Sequence, residues 1–430
     1  MFELNETQRL VESAVRGWCE QHLAPAVPAL EAGALLPYDL LRRLARELGV
    51  SAPLVGTAER RIAKLVGGIA SRTESAGDDG GGFGGDPMLT SVLLKEISRI
   101  SPGFGMAFIA TLGCAMAIVT RGSAQMIEQH GLPLLRFEKF GAWALTEPGA
   151  GSDAFGSMRT TAVLDGDDVV LNGQKTFISN APFADTFAIY TRVDIGQPAR
   201  LIRAVVVERG TPGLETGPPL RKMGMHDSPT GEIFLSDCRV PRRNVLGSLG
   251  PAAGVGSAGP LPVGSLRTAK SDKLLEPQEG ARGAAALETL NLERAVMPAM
   301  CLGIIERCVE ESVRYAKTRE QFGRPIGEFQ GIAFKLARMA LALENARNLV
   351  FKLAWAQREG KLEARLASLA KLYCAEEAVR VALDAIQIHG GAGYMAELPL
   401  EKLMRDAKMF EIGGGTNEIQ LQTIARALLA

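Results

Sequence analysis

The stretch Thr160–Asn180, TTAVLDGDDVVLNGQKTFISN, indicates the fold class, because the residue pattern of the chain changes there from helical to β. It is rich in Val, Ile, Thr and Phe, and its Asp-Gly and Asn-Gly dipeptides are typical of hairpin turns. Further β-rich runs lie between Phe140 and about Val245: GAWALTE, TFAIYTRV, RAVVVER and GEIFLSDCRV. The pattern predicts a small antiparallel sheet domain.

Helical periodicity surrounds this region on both sides. On the N-terminal side, apolar residues recur at helical spacing after Asn5, a good N-cap residue. On the C-terminal side, a Gly-, Ala- and Pro-rich stretch is followed by helical spacing almost to the end. We therefore predict an α+β fold that is mainly α. Its predicted parts are an N-terminal helical domain (1–139), a middle β domain (140–246), a loop insertion (247–283) and a C-terminal helical bundle (284–430).

Composition excludes several classes of function. Lys plus Arg and Asp plus Glu are both 48, so no surplus charge is available to hold a nucleic acid or an anionic membrane. The six cysteines form no CxxC pair, and the four histidines show no metal-binding spacing, so we predict no metal site. Reduced thiols and the absence of a targeting pattern predict a cytoplasmic protein. The uncharged segment Ile100–Thr120 is long enough to span a bilayer, but its Gly and Pro residues favour a helix buried in protein.

Four separated segments carry a family resemblance: ALTEPGAGSD (Ala144–Asp153), LNGQKTFISNA (Leu171–Ala181), REQFGRPIGEFQ (Arg319–Gln330) and QIHGGAGYMAELPLEKLMRDAKMFEIGGGTNEIQ (Gln387–Gln420). Through them the chain resembles the acyl-CoA dehydrogenase family over nearly its whole length. The resemblance implies an N-terminal helical domain, a middle antiparallel β domain and a C-terminal four-helix bundle, in agreement with the pattern above. In the last segment, Asn417 and Gln420 have the spacing of a capping box.

The resemblance implies an FAD site that draws on two subunits. Its predicted contacts on the β domain are Trp143, Leu145, Thr146, Ser152, Phe177 and Ser179. Phe177 would stack on the isoalloxazine and Ser179 would hydrogen-bond it, although the family usually has Trp and Thr at these positions. The predicted contacts to the FAD of a neighbouring subunit are Arg319, Gln321, Phe322, Gln387 and Gly391, and a further FAD-contacting pair is Thr416 and Glu418. A guanidinium such as that of Arg319 pairs well with a pyrophosphate. A homo-oligomer follows, with a dimer of dimers as the family norm.

The implied chemistry is removal of a proton α to a thioester and of a hydride from the β carbon. Most of the family carries the catalytic Glu two residues before the Thr of the GGGT turn, but this position is Gly414 here. Enzymes resembling isovaleryl-CoA dehydrogenase place the Glu on another helix, directly before an Arg. That pattern occurs here as Glu293-Arg294, so Glu293 is predicted to be the base. The backbone N–H of Gly414 would still hydrogen-bond the thioester carbonyl.

Further expectations concern the substrate and the partners. Ser152, Asn291 and Arg294 match substrate-binding positions, and an electron-transfer flavoprotein is the expected electron acceptor. Small residues at Gly414 and along Ile100–Thr120 are compatible with a branched or cyclic acyl chain. The loops 71–86 and 247–283 are longer than the family needs. Scaffold relatives with other reactions keep alternatives open: an acyl-carrier-protein dehydrogenase, a desulfinase-like or nitroalkane-oxidase-like enzyme, or a non-catalytic flavin-binding protein.

Overall fold

A computed structural model describes residues 3–67, 86–194, 201–247, 249 and 284–429, with side chains described from Ala295 onward in the last range. Nearly all of the predicted loop insertion and of the loop 71–86 lies outside the described residues. Within the described chain, the order of elements is helices, then a sheet, then helices again. The predicted mainly helical α+β fold is therefore confirmed.

The N-terminal part is helical, as its periodicity predicted. Its α-helices are α1 (Glu6–Trp18), α2 (Val27–Glu31), α3 (Tyr38–Glu47), α4 (Ala52–Gly67), α5 (Pro87–Ser98), α6 (Pro102–Arg121), α7 (Ala124–Met126) and α8 (Leu132–Leu135). Asn5 caps α1, because its side chain accepts the N–H of Gln8 while the Gln8 side chain accepts the N–H of Asn5. Helix α6 is long and apolar enough to cross a membrane, but 83% of its most apolar window is buried inside the protein. The predicted buried helix is thus confirmed.

The middle part is a curled sheet of seven strands. They are β1 (Gly141–Ala144), β2 (Thr161–Asp165), β3 (Asp168–Ser179), β4 (Thr186–Asp194), β5 (Leu201–Glu208), β6 (Leu214–Thr216) and β7 (Thr230–Pro241). The order is β1-β4-β2-β3-β7-β6, with β5 on the other edge of β4. The sheet is mixed rather than purely antiparallel, because β1 and β2 follow one another along one edge of β4 and both run parallel to it.

The two faces of the sheet belong to different cores. One face, which includes Ala188, Tyr190 and Val206, joins a core shared with the helices of both other parts. The opposite face, which includes Ile189 and Val205, forms a second core within the β domain. Because side chains alternate along a strand, one strand supplies residues to both cores. Through their helix-facing residues, β1 and β4 attach the sheet to the helices.

The C-terminal part consists of long helices. They are α9 (Ala284–Thr318), α10 (Gln330–Arg358), α11 (Ala364–His389), α12 (Leu400–Ile412) and α13 (Asn417–Leu429). Between α9 and α10, a small hairpin is formed by β8 (Glu320–Gln321) and β9 (Arg324–Pro325). Helix α6 packs against β1, α9 and α12, so it joins all three parts of the molecule.

A buried ionic network fastens α9 to the N-terminal helices. The Glu96 carboxylate is fully buried on α5 and accepts two hydrogen bonds from Arg16 of α1, at 2.8 and 2.9 Å. Arg16 and Arg99 both donate to Glu306 of α9, at 2.9 and 2.8 Å. Burial alone would raise the pKa of Glu96, but the hydrogen bond from Arg16 and the charge of Lys95 lower it below its usual value.

Candidate functional site

Trp143 borders the site from strand β1. Its Nε1 donates to the hydroxyl of Tyr190 at 3.2 Å, and the two rings meet edge to face with centroids 5.1 Å apart. A Cβ added to Gly113 would lie 3.9 Å from the Cβ of Trp143, which shows how closely α6 backs the strand. The indole is therefore held in one orientation while part of its surface remains accessible.

Phe177 combines a rare backbone conformation with an exposed aromatic ring. It lies at an irregularity in the pairing of β3 with β7, and its φ is +58°, in the left-handed region that a Phe rarely adopts. Its side chain is nevertheless 69% exposed, so burial of the ring does not compensate for a strain of about 1–2 kcal/mol. Such outliers cluster at ligand sites. An exposed aromatic ring fits the predicted stacking on a flavin.

The loop that follows β1 is tied directly to β3. The N–H of Thr176 donates to the carbonyl of Thr146 at 3.0 Å, and the residues Glu147 and Ala150 exchange backbone hydrogen bonds that close the loop. Leu145 is buried, Thr146 is half-buried and Ser152 is exposed. Ser179, also half-buried, ends β3 opposite Thr230 of β7. The structure thus brings the loop contacts and the β3 contacts of the predicted cofactor site together.

A buried lysine–glutamate pair lies beneath this loop, and the sequence analysis did not identify it. Nζ of Lys175 donates to Oε1 of Glu147 at 2.8 Å and to the carbonyl of Leu145 at 2.9 Å. The Lys175 side chain is fully buried, and burial lowers its pKa to about 8 although Glu147 opposes the shift. Burial would raise the pKa of Glu147, but hydrogen bonds from Lys175 and Thr160 lower it. The available signal was one glutamate in the Ala144–Asp153 segment and one lysine in the Leu171–Ala181 segment.

The GGGT turn connects α12 to α13 and contacts α9 through Met297. Gly414 has a φ of +63°, and a Cβ added there would lie 2.6 Å from the Met297 sulfur and 2.9 Å from its Cε. Real Cβ atoms do not approach other atoms so closely. Met297, which the sequence favoured as a core residue, is buried as expected, but it fills the volume that a side chain at position 414 would need. A glutamate cannot replace Gly414 without displacing Met297.

The start of α13 corrects one sequence prediction. The hydroxyl of Thr416 accepts the N–H of Ile419 at 3.4 Å, so Thr416 is the N-cap and not Asn417. The Gln420 side chain donates to the carbonyl of Gly415 at 2.8 Å instead of closing a capping box on Asn417. The Asn417 side chain instead accepts a hydrogen bond from Nζ of Lys371 on α11, at 3.2 Å. A contact with another helix therefore takes the place of the predicted capping box, while Thr416 supplies the cap.

The predicted base lies on α9, one helical turn before Met297. The side chains of Asn291, Glu293 and Arg294 lie outside the described residues, but the backbone of α9 is helical there. Positions 293 and 297 are four residues apart and share one face of the helix. Because Met297 touches Gly414, the face that carries position 293 is the face directed toward the GGGT turn. Pro298 lies inside this helix and has no N–H to donate to the carbonyl of Arg294.

Two glycines of α6 lie close against residues of other segments. A Cβ at Gly103 would lie 1.7 Å from Oδ1 of Asp227, and one at Gly105 would lie 2.9 Å from Cε of Met300. These contacts identify what two of the small residues of α6 pack against, and the expectation that small residues here admit a branched or cyclic acyl chain stays a prediction. These two glycines serve close packing of the protein itself.

The second set of predicted contacts lies at the far end of α9. Phe322 forms the tip of the β8–β9 hairpin with a φ of +53° and is 94% exposed, and Arg319 and Gln321 beside it are also exposed. The ring of Tyr315 stacks on that of His389 with centroids 4.2 Å apart, which brings the hairpin close to the end of α11.

Exposed residues mark that helix end as well. Gln387 and Gly391 are exposed there, and Tyr394 is 77% exposed. The two halves of this second group are therefore both exposed, and the contact of Tyr315 with His389 links the elements that carry them.

This second group is distant from the predicted base within one chain. At a rise of about 1.5 Å per residue, the α9 backbone covers about 37 Å between Glu293 and Thr318. Within one chain, the hairpin therefore lies far from the turn that carries Gly414. The predicted contacts form two separate groups, which is the arrangement expected if a neighbouring subunit completes each site.

The residues present fit an FAD. Trp143 and Phe177 offer accessible aromatic surfaces on adjacent parts of the β domain, and Arg319 offers an exposed guanidinium at the second group. Flavin rings require planar apolar contacts, and the pyrophosphate requires cationic or N–H donors.

Comparison with known proteins gives a consistent result. A family model for the acyl-CoA dehydrogenase C-terminal domain matches residues 281–429, and one for the acyl-CoA dehydrogenase middle domain matches residues 142–238. A probable acyl-CoA dehydrogenase of Bacillus subtilis (strain 168) is 34% identical over 100% of this chain and 99% of its own length. A 3-(aryl)acrylate reductase of Clostridium sporogenes is 32% identical over 99% of both chains. The structure of butyryl-CoA dehydrogenase from Megasphaera elsdenii aligns with a TM-score of 0.81 and 33% identity over 100% of both chains.

Proposed function

Because the chain belongs to the acyl-CoA dehydrogenase family, we propose that it is an FAD-dependent oxidoreductase that introduces an α,β double bond into an acyl-CoA thioester. Glu293 takes the α proton, and the N–H of Gly414 donates a hydrogen bond to the thioester carbonyl as negative charge develops there. FAD, when bound, accepts the hydride from the β carbon.

The contact between Met297 and Gly414 is the observation that supports this proposal most directly. A side chain at position 414 would have to displace the end of the Met297 side chain, and the contact directs toward the GGGT turn the face of α9 on which position 293 lies. A carboxylate from α9 can therefore serve as the proton acceptor that the turn lacks. The N–H of Gly414 needs no side chain, so the same turn still serves as a hydrogen-bond donor.

Cofactor binding is proposed for two groups of residues from two subunits. In one chain, Trp143, Phe177 and Ser179 would hold the flavin ring, with Leu145, Thr146 and Ser152 on the loop beside it. The partner subunit would supply the exposed surface around Arg319, Gln321 and Phe322 together with Gln387 and Gly391. Thr416 and Glu418 would contribute from the start of α13. The exposed Phe322 and Tyr394 support an interface between subunits, because solvent-exposed aromatic rings gain by burial there.

The test of this proposal is reduction of the bound flavin by substrate. Purified protein is mixed anaerobically with each member of an acyl-CoA panel, and loss of the oxidised flavin absorbance is recorded. Glu293→Gln should keep bound FAD but lose the bleaching, since an amide cannot accept the α proton. Glu310→Gln on the same helix is the matched control and should bleach like the wild type. Full bleaching by Glu293→Gln would refute the assignment of the base. An electron-transfer flavoprotein is the proposed acceptor, and it should reoxidise the bleached enzyme.

A second candidate function is the opposite reaction, reduction of an α,β-unsaturated substrate. It is favoured by the similarity over full length to a protein named as a 3-(aryl)acrylate reductase. The same residues would serve, with Glu293 delivering the α proton. Chemically reduced enzyme should then be reoxidised rapidly by an enoyl or arylacrylyl thioester, whereas the saturated acyl-CoA panel would bleach the oxidised enzyme poorly.

A further inference from the structure

The buried pair of Lys175 and Glu147 has no role in the proposed reaction. It lies between the loop after β1 and strand β3, the two segments of the β domain that carry the predicted cofactor contacts. The Lys175 side chain is 0% exposed and that of Glu147 is 4% exposed. Isolated charges at such burial would be very costly, so each must have good partners. Those partners connect segments that are separate in the sequence.

The ammonium group of Lys175 holds the start of the loop after β1. It donates to the carbonyl of Leu145 at 2.9 Å, directly before Thr146 on the loop after β1. The backbone of the next residue, Thr176, donates to the carbonyl of Thr146 at 3.0 Å. Phe177 follows immediately, in its strained and exposed conformation. The contacts of one lysine thus set the loop relative to the aromatic ring.

The carboxylate of Glu147 holds the far end of the same loop. It accepts the N–H of Arg159 at 2.6 Å and that of Thr160 at 2.9 Å, in addition to the ammonium of Lys175. The loop that carries Ser152 is therefore closed at both ends by one ion pair. Charge-assisted hydrogen bonds of this kind are roughly twice as strong as neutral ones.

Gly173 makes this arrangement possible. It has a φ of +146°, and a Cβ there would lie 2.6 Å from Oγ1 and 2.7 Å from Cα of Thr160. The missing side chain lets the Thr160 backbone approach β3, where its N–H reaches Glu147. The Asn-Gly-Gln-Lys sequence of β3 therefore combines the close approach with the lysine that uses it.

We infer that Lys175, acting through Glu147 and Leu145, is a positioning residue for FAD that holds the Thr146–Ser152 loop against the strand carrying Phe177 and Ser179. The inference rests on the proposed function, because it takes FAD to be the ligand of this site. It assigns Lys175 no contact with the reacting atoms. It also predicts that cofactor affinity depends on the charge of one buried amine.

That charge is sensitive to mildly alkaline pH. Burial lowers the pKa of Lys175 to about 8, and Glu147 is the charged side chain that acts on it from the packed segments. The neighbouring residue across β7 is Ile233, which does not titrate. As pH rises through 8, Lys175 loses its proton and Glu147 is left buried without its counter-ion. FAD should then bind more weakly, by about tenfold between neutral pH and one unit above the pKa, as expected for loss of one charged hydrogen bond.

The experiment measures FAD binding by the apo-protein, followed by quenching of flavin fluorescence at several pH values. Lys175→Met alone leaves a buried, unpaired carboxylate that destabilises the fold, so the main variant is Lys175→Met with Glu147→Gln, which removes both charges. The matched control is Lys139→Met with Glu208→Gln, which removes an exposed lysine–glutamate pair of 3.0 Å between the segment before β1 and the end of β5. Unfolding midpoints of the three apo-proteins establish that each is folded.

The wild type and the control should lose about tenfold in FAD affinity on raising the pH, whereas the Lys175–Glu147 variant should bind more weakly at neutral pH and show no pH dependence. If wild type binds FAD but all three proteins share one pH profile, the inference is overturned while the proposed function stands. If wild type binds no FAD at any pH, both are overturned.

Discussion

Gly414→Ala tests the packing on which the placement of the catalytic base depends. The new Cβ would lie 2.6 Å from the sulfur and 2.9 Å from Cε of Met297. The backbone there has a φ of +63°, which disfavours any residue with a Cβ. Both effects destabilise the folded protein, and only the first depends on Met297.

The magnitudes follow from these two contacts. The left-handed conformation costs about 1–2 kcal/mol for a residue with a Cβ. Forcing a methyl group against the Met297 thioether adds about 1–3 kcal/mol, as in other overpacked cores. Met297→Ala alone should cost about 2–5 kcal/mol, because it leaves a cavity beside the turn. In the double variant the new methyl group occupies part of that cavity, so about 1–3 kcal/mol should be recovered as coupling.

The assay is a double-mutant cycle from urea unfolding, followed by tryptophan fluorescence. Gly331→Ala at the start of α10 is the control, because a Cβ there has no heavy atom within 4 Å and its backbone carries no positive φ. It should be neutral or slightly stabilising. If the effects of Gly414→Ala and Met297→Ala add within about 0.5 kcal/mol, the two residues do not compete for one volume, and the argument that directs α9 toward the turn fails.

Three further predictions concern other parts of the molecule. Phe177→Gly relieves the strained φ and removes a ring that is already 69% exposed, so the apo-protein should gain about 1 kcal/mol of stability. FAD titration should show weaker binding, and lower stability of the apo-protein would contradict the strain. Glu96→Gln should cost about 3–5 kcal/mol in urea unfolding at neutral pH. Because the pKa of Glu96 is lowered in the folded protein, its contribution is complete above its ordinary pKa and falls in acid, so an equal loss at acid pH would contradict this reasoning. Phe322→Asp should dissociate the oligomer in sedimentation experiments and weaken FAD retention, and an unchanged mass would argue against the hairpin as an interface.

Local patterns were sufficient for much of this protein. Periodicity placed the sheet between two helical parts, identified Asn5 as the first cap and predicted that α6 is buried. Four short motifs identified the family, because a loop or turn that holds a ligand needs particular residue types at particular spacings. The absence of a catalytic carboxylate at Gly414 was also visible in the sequence, and it led to Glu293 as the predicted base.

Contacts between distant segments were not accessible in this way. No spacing rule connects the residues that meet in these contacts. Examples are the parallel pairing of β1 and β2 with β4, the hydrogen bond from Lys371 to Asn417 and the pair of Lys175 with Glu147. Phe177 was recognised as a candidate contact, but its strained backbone arises from an irregularity between two strands. Residue types and spacings record what a segment prefers locally, whereas the volume beside Gly414 is filled by Met297 because packing brings two remote helices into contact.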